Sequence, residues 1–119
     1  MRSWVTVRPN CAHGGASWRP GSVAPVFVLA MEVELHINDS QSLKAKRQVV
    51  QSLLDGARHR FRVSAAEIAN QDLWQRATLG FAVVASSQQQ ASEVIDAVDR
   101  FVWSHPGVDV VSTDRRWLE

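Results

Sequence analysis

Between Val26 and Ile37 the chain reads VFVLAMEVELHI, and this alternation limits the fold more than any other stretch. Taken in steps of two, Phe27, Leu29, Met31, Val33, Leu35 and Ile37 form one wholly apolar face. Val28, Ala30, Glu32, Glu34 and His36 form the other, which turns polar along its length. A period of two sustained over that distance is a β-strand with one face on a core. A long bare edge invites aggregation, so a strand of this kind is expected in the middle of a sheet.

Downstream elements follow from their own periods. Asn38 to Ser42 is a polar loop rich in residues that cap helices. A helix is expected over Leu43–Arg60, with Leu43, Val50, Leu54, Ala57 and Phe61 on one stripe, widened by Val49 and Leu53. Arg62–Ala69 reads as a weak edge strand, and Asn70–Ala77 as a polar connection holding Trp74. Thr78–Ala85 alternates again, with Leu79, Phe81 and Val83 on one face. Ser87 and Gln90 have the spacing of a capping box, opening a second helix to about His105, where Pro106-Gly107 stops it. A last strand starts at Val108 and ends near Trp117. The order β-α-β-β-α-β, with right-handed crossovers, gives an α+β, ferredoxin-like domain: a four-stranded antiparallel sheet with both helices on one face.

A chain of 119 residues holds one domain with a modest core. It contains no apolar run of the roughly 18 residues that a spanning helix needs, and the reading has no membrane role. Cys11 is the only cysteine, which excludes an internal disulfide and a cysteine-rich zinc site and suits a reducing cytoplasm. Residues 1–25 carry Arg2, Arg8 and Arg19 and no acid, leaving ten bases against twelve acids in 26–119. That slightly negative balance excludes a general nucleic-acid binder; any such activity must lie in a local patch. Residues 1–25 are rich in Pro, Gly and Ser, without a lasting period or a secretory h-region. They read as a flexible tail, or as sequence upstream of a true start at Val26. The single domain is then 26–119.

Four groups of side chains could carry function. Lys44, Lys46 and Arg47 stand in the first turns of the first helix, where the dipole disfavours positive charge, and Lys46 projects close to the apolar stripe. Either they hold a phosphate or carboxylate at the helix start, or Lys46 reaches a carboxylate such as Glu34 and the others are solvated. Trp74, Gln75 and Arg76 could stack on a base and hydrogen-bond it, or cap the sheet edge and brace a turn. Val28, Ala30, Ala82 and Val84 would cluster on the uncovered sheet face as a partner surface, most simply in a homodimer. Glu32, Glu34 and His36 are spaced to share a metal or divide acid and base roles, but read more simply as a solvated sheet face; no metal site or cofactor is expected. Gly80-Phe81-Ala82-Val83 echoes an RNA-recognition signature only faintly, with Leu79 and Val83 out of pattern and Phe81 pointing inward.

VELHINDSQSLKAKRQVVQSLL followed by AEIANQDLWQRATLGFAVV resembles the YlxP-like family, small bacterial proteins of unknown function. The resemblance runs from about Val26 to Leu118 and is carried most specifically by the LKAKR and QDLWQRA segments. It implies a ferredoxin-like fold. It also implies a link to ribosomes or RNA, because the family's genes often lie among those for translation and ribosome maturation. An acid commonly stands in the family where this chain has Ala45, and no catalytic residues carry over. Two expectations follow. The chain is a non-enzymatic cytoplasmic protein that contacts RNA or a ribosomal particle through Lys44, Lys46, Arg47, Trp74, Gln75 and Arg76. Alternatively it is a homodimeric interaction domain built on the open sheet face.

Overall fold

The computed structural model describes residues 25–38 and 41–118. The expectation for the N-terminal stretch, including Cys11, and that for Asp39 and Ser40 fall outside the described residues. The elements run β1 (Phe27–Ile37), α1 (Leu43–Phe61), β2 (Ser64–Ala69), β3 (Arg76–Ala85), α2 (Gln88–Trp103) and β4 (Val108–Leu118). The strands form one antiparallel sheet in the order β2-β3-β1-β4. This is the ferredoxin-like α+β fold, with β1 and β3 in the centre.

The alternation in β1 decides the layering. Leu29, Met31, Val33, Leu35 and Ile37 are buried beneath the helices, while the intervening residues face away from them. From α1 come Val50, Leu53, Leu54 and Ala57, and from α2 Ala91, Ile95, Val98 and Val102. Phe27 is only half-buried, because it lies at the sheet end, edge-on to Trp117 with centroids 6.4 Å apart. Phe61 and Phe101 join the helices edge-on at 5.7 Å, with the Arg60 guanidinium over both rings. Burying each such apolar side chain is worth about 1.5–3 kcal/mol, so this two-layer core carries the fold.

Helix ends follow their caps. Ser42 Oγ accepts from Ala45 N at 3.0 Å, and Ser87 Oγ from Gln90 N at 3.1 Å. Arg62 closes α1 in the left-handed region (φ 55°), its N–H donating to the Arg58 carbonyl. That cap moves the start of β2 from the expected Arg62 to Ser64. β3 begins at Arg76 rather than Thr78, because the β1 pairing continues to His36↔Arg76.

Two register shifts shape the edges. Opposite Glu34/Leu35, the pairing of Ser112 and Val110 leaves Val111 as the extra residue of β4. In β2, Glu67 pairs with Leu79 and Ala69 with Thr78, so Ile68 is the extra residue. It sits over Gly80 on the open face, where a Cβ on that glycine would meet Ile68 Cγ2 at 3.1 Å. The outer edge of β4 carries Asp114, Arg115 and Arg116 in succession, and Arg115 reaches Asp96 and Asp99 of α2 at 2.6 and 3.4 Å.

Candidate functional site

β1 ends, α1 starts and the β2–β3 loop turns at one end of the domain. Backbone bonds hold this end together: Ile37 N–H donates to the Gln75 carbonyl at 2.8 Å, and Asn38 N–H to the Gly107 carbonyl at 2.8 Å. In the loop, Asn70 adopts φ 65°, its Nδ2 donates to Thr78 Oγ1 at 2.9 Å, and its carbonyl accepts from Leu73 N at 3.1 Å. This pinned turn leaves Trp74 51% and Leu73 45% exposed.

Lys46 departs from the grouping that the sequence suggested. It is 1% exposed and occupies the core stripe of α1. Its ammonium lies 2.8 Å from Glu67 Oε2 and donates to the Asn70 carbonyl. The carboxylate is therefore Glu67, not Glu34, and the cation is withdrawn from the surface. The reason is the face on which each acid lies. Glu67 pairs with core-facing Leu79 and points toward α1, while Glu34 pairs with Thr78 on the opposite side of the sheet. The same contact ties the first turns of α1 to the β2–β3 loop. Lys44, Arg47, Trp74 and Gln75 remain exposed at this end. Arg76 is exposed as well, but its guanidinium is ion-paired with Glu34 on the open face.

The other polar candidates belong to that open face. Glu32 Oε2 lies 3.5 Å from Arg116 Nη2, which also lies 3.7 Å from Asp114 Oδ2. His36 Nδ1 is 3.0 Å from Asn38 Oδ1. Among the described residues no three His, Cys, Asp or Glu side chains converge as metal ligands. The acids of β1 thus act as cross-strand ion-pair partners.

Val28 pairs directly with Val84, and Ala30 with Ala82, so all four share the open face. Val84 is 68% exposed. Beside them Ser64, Ala66, Gly80 and Ala82 floor a concavity of about 310 Å³, walled by Ile68 and by Arg116 and Asp114. Sequence reasoning missed Glu67, Arg116, Asp114 and this concavity. The signal for Glu67 was present: it follows Val63 and Ala65 at a period of two, on the inward face of β2.

A family model described as "Protein of unknown function (DUF503)" matches residues 28–115. Over 87 residues the chain is 38% identical to "Uncharacterized protein YlxP" of Bacillus subtilis (strain 168), covering 73% of this chain and 95% of that protein. Among solved structures, the intact alpha subunit of aIF2 from Pyrococcus abyssi superposes with a TM-score of 0.41 at 13% identity. That overlap spans 82% of this chain and 35% of the other. A dimeric ferredoxin-like protein from an uncultured marine organism gives 0.36 at 11% identity, over 77% and 84% of the two chains. Similarity at that level carries no functional information.

Proposed function

This chain belongs to the DUF503 family of proteins of unknown function, and we propose that it is a non-enzymatic cytoplasmic module that meets RNA, as on a ribosomal particle, at the end of the fold where α1 begins. The observation that carries this reading is the exposure of Lys44 and Arg47 in the first turns of α1, beside a loop that holds Trp74 half in solvent. Cations there oppose the helix dipole, and a bound phosphate removes the conflict. Trp74 supplies a stacking face for an unpaired base and Gln75 an amide for its edge. Charge is segregated in support: α1 carries four exposed bases against Asp55, while the acids of α2 outnumber its one base, Arg100. An anionic strand is thereby steered to α1.

Fluorescently labelled single-stranded RNA and ribosomal particles, each titrated across a salt series, test this. Lys44→Glu/Arg47→Glu lowers the log–log salt slope by about 1.4, from roughly 0.7 per lost phosphate contact. Trp74→Ala weakens binding by about 1–3 kcal/mol. Absence of binding at low salt, or variants that bind like wild type, refutes the assignment.

A second reading is favoured by the exposed Val84 and its apolar neighbours: the open sheet face takes a second copy of the chain. The two readings use different sides of the domain and are compatible.

A further inference from the structure

We infer that two copies stack open face to open face about a two-fold axis running along the strands, between β1 and β3, so that both Trp74 loops emerge at the same end of the dimer. This deepens the self-association reading above and rests on it.

Cross-strand pairing sorts the open face into rows. One row is Leu118–Val28–Val84, the next Arg116–Ala30–Ala82–Ser64, and the middle one Asp114–Glu32–Gly80–Ala66. Beyond it lie Ser112–Glu34–Thr78 and then Asp109–His36–Arg76. The face is also divided across the strands. The half made by β1 and β4 is bulky and charged, with Glu32, Asp114 and Arg116 bridged to one another. The half made by β3 and β2 is small and neutral through Gly80, Ala82, Ala66 and Ser64, and there the face is hollow.

A face-to-face pair has two simple symmetry choices. With the axis across the strands, the rows reverse and each strand lies over its own copy. Glu32 then faces Glu32 and Asp114 faces Asp114 in the centre, a juxtaposition of like charges that costs binding energy. With the axis along the strands, β1 lies over β3 and β4 over β2 of the other copy. Val28 meets Val84, Glu32 meets Gly80, Asp114 meets Ala66 and Arg116 meets Ser64. Glu32, Asp114 and Arg116 each enter the hollow half opposite, while their ion pairing within their own copy is kept. Such an interface is isologous and closes at two copies.

The area is sufficient. Four strands at about 4.8 Å spacing, over about ten residues of length at roughly 3.4 Å each, give on the order of 600 Å² per copy. About 1,200 Å² in total lies at the lower end of specific interfaces.

The test uses the full chain. Light scattering across a concentration series reads the assembly, and wild type is expected to be dimeric while Val84→Asp is monomeric. Val84 is 68% exposed, so the aspartate is tolerated by the fold, and an unchanged circular dichroism spectrum verifies this. Orientation is read by pulsed electron spin resonance from a label on Asp72→Cys, in the exposed β2–β3 loop, with Cys11→Ser removing the native thiol. From strand and sheet spacings, the axis along the strands places the two labels roughly 20 Å apart, whereas the axis across them gives roughly 40 Å. A dimer with the longer distance overturns the symmetry assigned here and leaves self-association standing. A dimer that survives Val84→Asp shows that the interface lies elsewhere, and a monomer at every concentration overturns both.

Discussion

Replacing Lys46 by Met tests whether its cation is part of the core or part of the surface. The side chain is 1% exposed, its ammonium is 2.8 Å from Glu67 Oε2, and Glu67 is 17% exposed. At that separation and an effective dielectric near 20, the gross attraction is about 6 kcal/mol. Desolvation of the two ions offsets most of it, but removing one partner strands the other. Met keeps the aliphatic stem packed, so the loss is electrostatic rather than a cavity. Breaking a fully buried pair costs about 3–5 kcal/mol, and the partial exposure of Glu67 sets the expectation near the lower end, about 3 kcal/mol. Lys46→Met/Glu67→Leu removes both charges and returns to within about 1 kcal/mol of wild type. The two substitutions are then coupled well beyond the roughly 0.5 kcal/mol seen between independent sites. Urea denaturation followed by tryptophan fluorescence and circular dichroism, with the slope held common, measures all four corners. If Lys46→Met alone costs under about 1 kcal/mol, the ammonium is hydrated, the core assignment fails, and Lys46 rejoins the cations of the proposed RNA-binding end.

Gly56→Ala sets two effects against each other. Its Cβ would stand 2.5 Å from Phe101 Cζ, an overlap worth about 1–3 kcal/mol against a gain of up to about 1 kcal/mol in helix propensity. A lowered melting temperature is expected, recovered by adding Phe101→Leu; a stabilised single variant contradicts the close approach. Ala45→Glu completes the capping box with Ser42 and stabilises α1 by about 0.5–1 kcal/mol, while its charge beside Lys44 and Arg47 weakens RNA binding. Calorimetry and the salt titration read the two effects separately, and tighter RNA binding would contradict the proposed contact.

How far the chain could be read from its sequence depended on whether a residue's fate was set by its own element. The inward face of β1 from Leu29 to Ile37 was legible because burial repeats with the pleat, and the strand order followed from the handedness of the crossovers. Lys46 was half legible. Helical spacing placed it near the stripe, but its partner is fixed by the register of β2 on β3, which no local pattern encodes. The Ile68 bulge escaped for the same reason: an extra residue shifts the alternation by one and resembles a weak strand. Ser112 to Trp117 gave little hydrophobic signal because most of this part of β4 is exposed, with Arg115 held by Asp96 and Asp99 instead of a core contact.

The two outermost strands are each poor templates for a further strand. β2 has only six residues and is interrupted at Ile68, and β4 is interrupted at Val111 and then presents consecutive ionic side chains. Ribbon-like growth through main-chain bonding is thereby blocked on both flanks. At high concentration, strand addition at these two edges is therefore a disfavoured route of association.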